Sequence, residues 1–223
     1  MLRYTLWLPG WLAICIVFLV AVSIPTGQVP IFMGVPSSEV VGEIDLMTVG
    51  KWSALCSIPL LANGIILERS RQIELFSVLR VKTRKHFRLH QVKACVICTF
   101  IWAAVIFGVT ACQLKKRMAV EIFILLLPNL LLWNGIGLVF YALSKKASWS
   151  LSMPLALVAG SCLIGAHIPS WLPYVPSTWG MLSQTVQYGA RGNCLLMPLA
   201  SSLSATISYL LFIFYEENED GNH

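Results

Sequence analysis

The sequence predicts an all-α membrane protein that crosses the bilayer with six helices. Its 223 residues are 57% hydrophobic and only 12% charged, whereas soluble domains carry about 25% charged residues. The apolar residues are grouped into runs that can cross about 30 Å of hydrocarbon. The net charge of +6 comes from bases that lie beside these runs, as expected at a membrane surface. The basic balance therefore indicates contact with lipid, and no nucleic-acid partner is expected.

The first predicted span covers residues 5–24, an uncharged run that follows Arg3. A cleaved signal peptide is the alternative, but Pro9 and Gly10 interrupt the run, which is long and has no small-x-small cleavage site after it. We therefore expect a retained span. The loop 25–50 contains acidic residues and no base, which is typical of an extracytoplasmic loop.

A polar connector, residues 68–93, separates the second predicted span from the third. The two spans cover 52–67 and 94–112. The connector holds eight of the sixteen Lys and Arg residues and contains neither Gly nor Pro. Apolar residues recur through it, and Ile73, Phe76 and Arg80 fall on one side of a helix. The pattern predicts an amphipathic cytoplasmic helix that lies against the membrane or a partner protein.

The remaining predicted spans are separated by a basic turn and an aromatic loop. They cover 122–143, 149–168 and 194–215. The outer loop 169–193 contains three Pro, two Trp and two Tyr residues, a composition typical of the headgroup region. Its part from Trp179 to Tyr188 is predicted to form a short helix on the outer surface. The last eight residues are acidic and are expected to be disordered.

The distribution of bases predicts the orientation. Six spans place both termini on the same side of the membrane. With the termini inside, eleven bases are cytoplasmic and five are outside, including the adjacent bases Lys115, Lys116 and Arg117, which go against the trend. The positive-inside rule favours this orientation, with both termini cytoplasmic.

The motif search predicts no catalytic residue and no metal site. The sequence lacks GxxxxGK[ST], HExxH and GxSxG, and no paired carboxylates lie inside a span. His86 and His90 have metal-ligand spacing, but the neighbouring bases would repel a cation. Cys95 and Cys98 form a CxxC without a second pair, so we interpret these and the other five cysteines as small packing residues.

Three asparagines lie inside the predicted spans, and two interpretations remain open for them. Asn63, Asn129 and Asn134 must find hydrogen-bond partners, because an unsatisfied amide in lipid is costly. Bonds between helices that fix the packing are one interpretation, and a polar substrate route is the other. Gly135 and Gly137 would allow neighbouring helices to approach closely.

The order of features around the connector resembles a known transporter family. Glu68 stands at the exit of the second span, followed by the amphipathic run from Ile73 to Leu79, the turn-like pair Thr83-Arg84, and Lys93 at the entrance to the third span. The chain resembles the membrane subunit of type-2 ATP-binding-cassette exporters, in particular the small permeases of lantibiotic immunity and bacteriocin export. The six-span layout and the YVPSTWGM segment before the last span are also similar to that family.

This resemblance implies a partner, a mechanism and a location. The connector would be a coupling helix that docks on a separate cytoplasmic ATPase, which holds ATP and Mg²⁺, so this chain needs no cofactor. The coupling residues implied by the resemblance are Glu68, Ile73, Phe76, Leu79, Arg80, Arg84 and Lys93. Two permease copies, identical or homologous, and two ATPases would form the working unit in a bacterial plasma membrane. The expected cargo is a peptide or an amphipathic, lipid-like molecule removed from the bilayer or the cell.

Two other classes of function compete with this interpretation. A non-transporting immunity or assembly factor would bind its target directly, and the residues do not distinguish it from a permease. An intramembrane enzyme would need catalytic groups that face each other inside the spans, and no carboxylate or histidine pair is found there.

Overall fold

The computed structural model describes residues 46–81, 84–113, 116–167, 174–182 and 193–215, and these residues contain helices and no strand. The five long helices are α1 (Leu46–Val81), α2 (Arg84–Gln113), α3 (Lys116–Ser144), α4 (Ala147–His167) and α5 (Asn193–Phe214), with a short 3₁₀ helix at Pro176–Gly180. The predicted all-α class is confirmed for these residues. The predicted first span, 5–24, lies outside them.

Four of the long helices are long and apolar enough to cross a membrane. The qualifying segments are Val49–Arg71, Lys85–Cys112, Lys116–Ser144 and Leu196–Phe214. Within α4 the apolar segment Ala147–Leu163 is shorter. The described part of the chain is therefore consistent with a polytopic membrane protein that has four candidate spans, and the predicted count of six stays a prediction.

The helices that flank the connector are longer than the sequence predicted. The helix α1 continues to Val81 and α2 begins at Arg84, although the predicted spans ended at 67 and began at 94. Residues 68–81 and 84–93 of the connector are helical, but 68–81 is the end of α1 and 84–93 the beginning of α2 rather than a separate helix. No Gly or Pro lies between the two spans to end the helix, and Lys, Arg, Glu and Gln all favour helix.

The central element of the bundle is α3, which packs against α1, α2, α4, α5 and the 3₁₀ helix. Consecutive helices from α1 to α4 run in alternating directions. Ser70 and Leu55 on α1 contact Gln91 and Trp102 on α2 in antiparallel order, and α2 contacts α3 in the same way. Only residues 145 and 146 separate α3 from α4. We call the end of the bundle where α3 ends and α4 begins the basic end, and the end where α2 ends and α3 begins the opposite end. The predicted sixth span, α5, packs extensively along α3.

Two glycines on α3 allow neighbouring helices to approach closely, as predicted. A Cβ atom on Gly137 would lie 2.6 Å from the backbone oxygen of Ser150 on α4. On Gly135 it would lie 2.8 Å from the Ser208 side chain on α5. Separations below 3.0 Å are not compatible with an unshifted side chain, so these two contacts depend on glycine.

The apolar core is built around large side chains from α1, α2 and α3. Trp52, Leu55, Trp102 and Leu126 are almost completely buried, and Trp102 Nε1 donates a hydrogen bond to the Leu55 carbonyl oxygen at 3.2 Å. Cysteines contribute to this packing. Cys56, Cys95 and Cys162 are buried, and the five cysteines with described side chains are all free thiols, consistent with their interpretation as packing residues.

Candidate functional site

A row of polar side chains joins α1, α2 and α3 inside the apolar bundle. It consists of Asn63, Asn134 and Thr99, and we call it the asparagine row. Asn63 Nδ2 on α1 donates to Asn134 Oδ1 on α3 at 2.5 Å, and Asn134 Nδ2 in turn donates to Thr99 Oγ1 on α2. All three residues are buried. The Thr99 hydroxyl also donates to the Cys95 carbonyl oxygen at 2.9 Å. These bonds agree with the packing interpretation, because the amides of Asn63 and Asn134 each donate to a side chain on another helix.

The third asparagine binds a segment that enters the bundle towards the opposite end. Asn129 Nδ2 donates to the Pro176 carbonyl oxygen at 2.6 Å, and Asn129 Oδ1 accepts a bond from Trp133 Nε1 at 3.1 Å. A Cβ atom on Gly180 would lie 2.9 Å from the Asn129 side chain. The amide of Asn129 therefore fixes the 3₁₀ helix against α3.

The 3₁₀ helix and the residues after it are mostly buried, although the segment from Trp179 onwards was predicted to form a short helix on the outer surface. Ser177 and Thr178 are buried, and so are Met181 and Leu182, whereas Tyr174 is exposed. The small residues at 177, 178 and 180 fit where helices α3, α4 and α5 meet. The rest of the predicted helix, residues 183–188, lies outside the described part of the chain.

At the basic end, a second polar contact joins α1 to α2. Gln91 Nε2 donates to Ser70 Oγ at 2.6 Å, and Ser70 Oγ donates to the Leu67 carbonyl oxygen at 2.8 Å. Gln91 and Ser70 are both buried. The polar half of α1 is therefore attached to α2 about two helical turns beyond the asparagine row.

A buried arginine connects α2 to the end of α5. Arg88 is only 8% exposed, and its Nη1 atom donates to the Phe212 carbonyl oxygen at 3.0 Å. The guanidinium carbon also lies 5.4 Å from the Phe212 ring centroid, within the range of a cation–π contact. The last carbonyl groups of a helix have no partner within it and carry the negative end of its dipole. Arg88 therefore stabilises the end of α5.

Two more bases contact the bundle at this end. The ammonium of Lys85 lies 4.2 Å from the ring centroid of Phe214 on α5. Arg71 Nη1 donates to the backbone oxygen of Lys145 at 3.4 Å, in the turn between α3 and α4, where Lys145 has a positive φ of 58°. The connector bases are thus not a uniform charged surface, because Arg88, Lys85 and Arg71 all contact other elements.

The structure places the predicted coupling residues on two helices, α1 and α2. Glu68 is exposed on α1 and Lys93 is exposed on α2. Four others lie on the last turns of α1, and Arg84 is the first residue of α2. Their side chains are outside the described set: Ile73, Phe76, Leu79, Arg80 and Arg84. Their coupling role stays a prediction.

Sequence reasoning missed Arg88, Gln91 and Thr99 as buried polar residues. A signal for them was present, since Val92, Cys95, Trp102 and Ile106 form an apolar stripe at helical spacing. A step of four residues from Cys95 towards the start of α2 reaches Gln91, and a further step of three reaches Arg88. The high density of charge around Arg88 concealed the pattern.

The two histidines with metal-ligand spacing lie next to each other on α2. His86 and His90 have edge-to-face rings with centroids 5.0 Å apart, and both are exposed on α2. Among the side chains that the structure describes, no three His, Cys, Asp or Glu residues lie together in a group that could hold a metal ion.

Comparison with protein-family models, with curated proteins and with solved structures finds no match for this chain.

Proposed function

We propose that this chain is the membrane-spanning permease subunit of an ATP-binding-cassette exporter, powered by a separate cytoplasmic ATPase. It would export a peptide or an amphipathic, lipid-like molecule across or out of the plasma membrane of a bacterium. The observation that supports the proposal most is the continuity of α1, which extends ten residues beyond the apolar segment that ends at Arg71. A helix of that length adds about 15 Å, so residues 72–81 extend a candidate membrane helix without a break.

Such an extension is suited to transmit a movement, because it is attached to the bundle at its base. Ser70 and Gln91 join α1 to α2, and Arg88 joins α2 to α5. In turn, α5 packs along the central helix α3. A rigid-body displacement of the connector would therefore act on several helices together, which is the type of transition that opens a transport route.

The proposed docking surface is the apolar side of the α1 extension. Ile73, Phe76 and Leu79 recur in its sequence. Burial of Phe76 and of Leu79 would contribute roughly 1.5–3 kcal/mol each. An exposed base contributes less than about 1 kcal/mol in a contact with a partner. Binding of an ATPase should therefore depend more on the apolar residues than on charge.

Co-purification from the native host in mild detergent tests the proposal. We expect a soluble ATPase with the tagged chain, and we expect Phe76→Ala with Leu79→Ala to remove it while the permease still inserts. The charge variant is Lys82→Gln, at a base outside the set of implied coupling residues, and it should retain the ATPase. Lys85 is left unchanged because it contacts Phe214. The apolar control is Leu196→Ala with Leu199→Ala, at exposed positions on α5.

Two results would contradict the docking model. Recovery of the chain without any ATPase would favour the non-transporting immunity or assembly factor. Greater loss of the ATPase in the charge variant than in the apolar variant would show that the connector binds through its bases, as a lipid-anchored helix does.

A further inference from the structure

A groove between α1 and α4 opens at the basic end of the bundle. It has a volume of about 520 Å³, within the range of roughly 300–1,000 Å³ that is typical of small-molecule sites. Its lining residues are Leu61, Gly64, Ile65, Glu68, Arg69, Ala147, Ser148 and Leu151. The groove is open to the side of the bundle, where membrane lipid would surround the candidate spans.

One part of the groove is an apolar wall along the two helices. Leu61 and Ile65 are one helical turn apart on α1 and are 41% and 39% exposed. Leu151 faces them from α4, and Leu157, further along α4, is also exposed. Gly64 leaves space between the helices, because a Cβ atom there would meet only the Ala147 oxygen at 3.8 Å and Ser150 Oγ at 3.9 Å. This wall offers a surface for an acyl chain.

The other part of the groove has a basic rim. Arg69 and Ser148 line it, the Arg71 guanidinium reaches the Lys145 carbonyl oxygen, and Lys146 is the next residue in that turn. The lining itself holds one base, Arg69, and one carboxylate, Glu68, and three further bases, Arg71, Lys145 and Lys146, lie in or against the turn that precedes the lining residue Ala147. The local charge favours an anion at the same depth as lipid headgroups.

We propose that this groove binds an anionic phospholipid, with its phosphate at the basic rim and an acyl chain along Leu61, Ile65 and Leu151. A soluble anion would use only the rim, and a zwitterionic lipid would use only the wall without a net electrostatic gain. An anionic phospholipid uses both. The inference goes beyond the proposed function and does not depend on it, because it requires no ATPase and no transport.

The test measures lipid binding to the delipidated full chain in detergent by native mass spectrometry. Phosphatidylglycerol and phosphatidylcholine with the same acyl chains are the two probes. We expect the wild type to retain phosphatidylglycerol at least fivefold better. Arg71→Gln with Lys146→Gln should lower phosphatidylglycerol affinity about thirtyfold, because each base near a lipid surface contributes about 1 kcal/mol. Gly64→Leu, which fills the groove, should lower the affinity for both lipids.

Two control variants distinguish lipid binding in the groove from lipid binding elsewhere on the surface. Lys116→Gln with Arg117→Gln removes two exposed bases at the opposite end, and Gly160→Leu adds the same side chain where nothing lies within 4 Å. Both should bind like the wild type. Equal retention of the two lipids by the wild type would overturn the proposal, and so would an equal loss in the control variants. Displacement of the lipid by glycerol 3-phosphate at similar concentration would also overturn it, because the site would then recognise a soluble anion.

Discussion

At the scale of single residues, polar side chains decide which faces of the apolar helices meet. Asn134 bonds to both Asn63 and Thr99, so one amide sets the relative positions of α1, α2 and α3. In lipid the helices gain little from apolar contact alone, since the solvent is equally apolar, and hydrogen bonds and close packing determine the arrangement. The asparagine row therefore specifies the arrangement of these three helices.

A comparison of two threonines on α2 tests this role. Thr99 and Thr110 are both fully buried, and each hydroxyl donates to a carbonyl oxygen of its own helix. Thr99 additionally accepts a bond from Asn134. We expect Thr99→Val to destabilise the protein by about 1–2 kcal/mol, because it leaves the Asn134 amide without its acceptor. Thr110→Val should cost less than about 0.5 kcal/mol.

Unfolding by titration with a denaturing detergent in mixed micelles measures both changes. The triple variant Thr99→Val, Asn134→Leu and Asn63→Leu should recover part of the loss, because all three hydrogen-bonded side chains are then removed together. Equal costs for the two threonine variants would contradict a special role for the asparagine row.

At the scale of elements, α3 organises the bundle because it contacts each of the other described helices. Its contacts with α4 and α5 rely on the absence of a side chain at Gly137 and Gly135. Such close approach increases van der Waals contact, which is a major source of helix association in lipid. The 3₁₀ helix also packs closely against α3, because Gly180 has no side chain where it contacts Asn129.

Gly137→Ala should weaken the contact between α3 and α4. Its new methyl group would meet the Ser150 backbone oxygen at 2.6 Å, and backbone cannot move aside as a flexible side chain can. We expect a loss of about 1–3 kcal/mol in the free energy of unfolding. The control, Gly160→Ala, lies where nothing is within 4 Å and should gain up to about 1 kcal/mol, because alanine is the better helix former.

The same detergent titration compares these two variants. A stabilising effect of Gly137→Ala, similar to that of the control, would show that α3 and α4 do not pack as closely as the structure has them.

At the scale of the whole molecule, the described charges lie at the two ends of an apolar bundle. Arg71, Lys85 and Lys146 are at the basic end, whereas Lys116 and Arg117 are at the opposite end, where Arg117 forms an ion pair with Glu121 at 3.2 Å. Both members of that pair are partly or largely exposed, so it contributes little to stability. More of the described Lys and Arg residues lie at the basic end than at the opposite end, so the positive-inside rule predicts that the basic end is cytoplasmic.

Reporter fusions test this orientation. A reporter domain fused after Tyr215 should be cytoplasmic, because α5 ends beside Lys85 and Arg88 at the basic end. One inserted between residues 25 and 50 should be extracytoplasmic. Paired fusions of green fluorescent protein and alkaline phosphatase at both sites provide the measurement, since the first is active inside and the second outside. Reversal of either site would refute the six-span arrangement with both termini cytoplasmic.

The sequence by itself determined the helical class, the apolar segments and the position of the basic connector. These properties are local, since hydropathy and helix propensity depend on neighbouring residues. The predicted positions of the helix ends were less accurate. Arg, Lys and Glu favour helix, so a helix can continue beyond its apolar segment, as α1 continues to Val81. The close-contact role of Gly135 and Gly137 was also predictable, since only glycine allows that approach.

Only the tertiary structure decided the partners of the polar residues. Arg88 is separated by 124 positions from Phe212, and Asn63 by 71 positions from Asn134. Nothing local distinguishes Arg88 from the bases around it, and its burial follows from the place where the end of α5 meets α2. The buried 3₁₀ helix has the same origin. Its fit depends on a space between three helices and on the Asn129 amide, and both exist only once the bundle has formed.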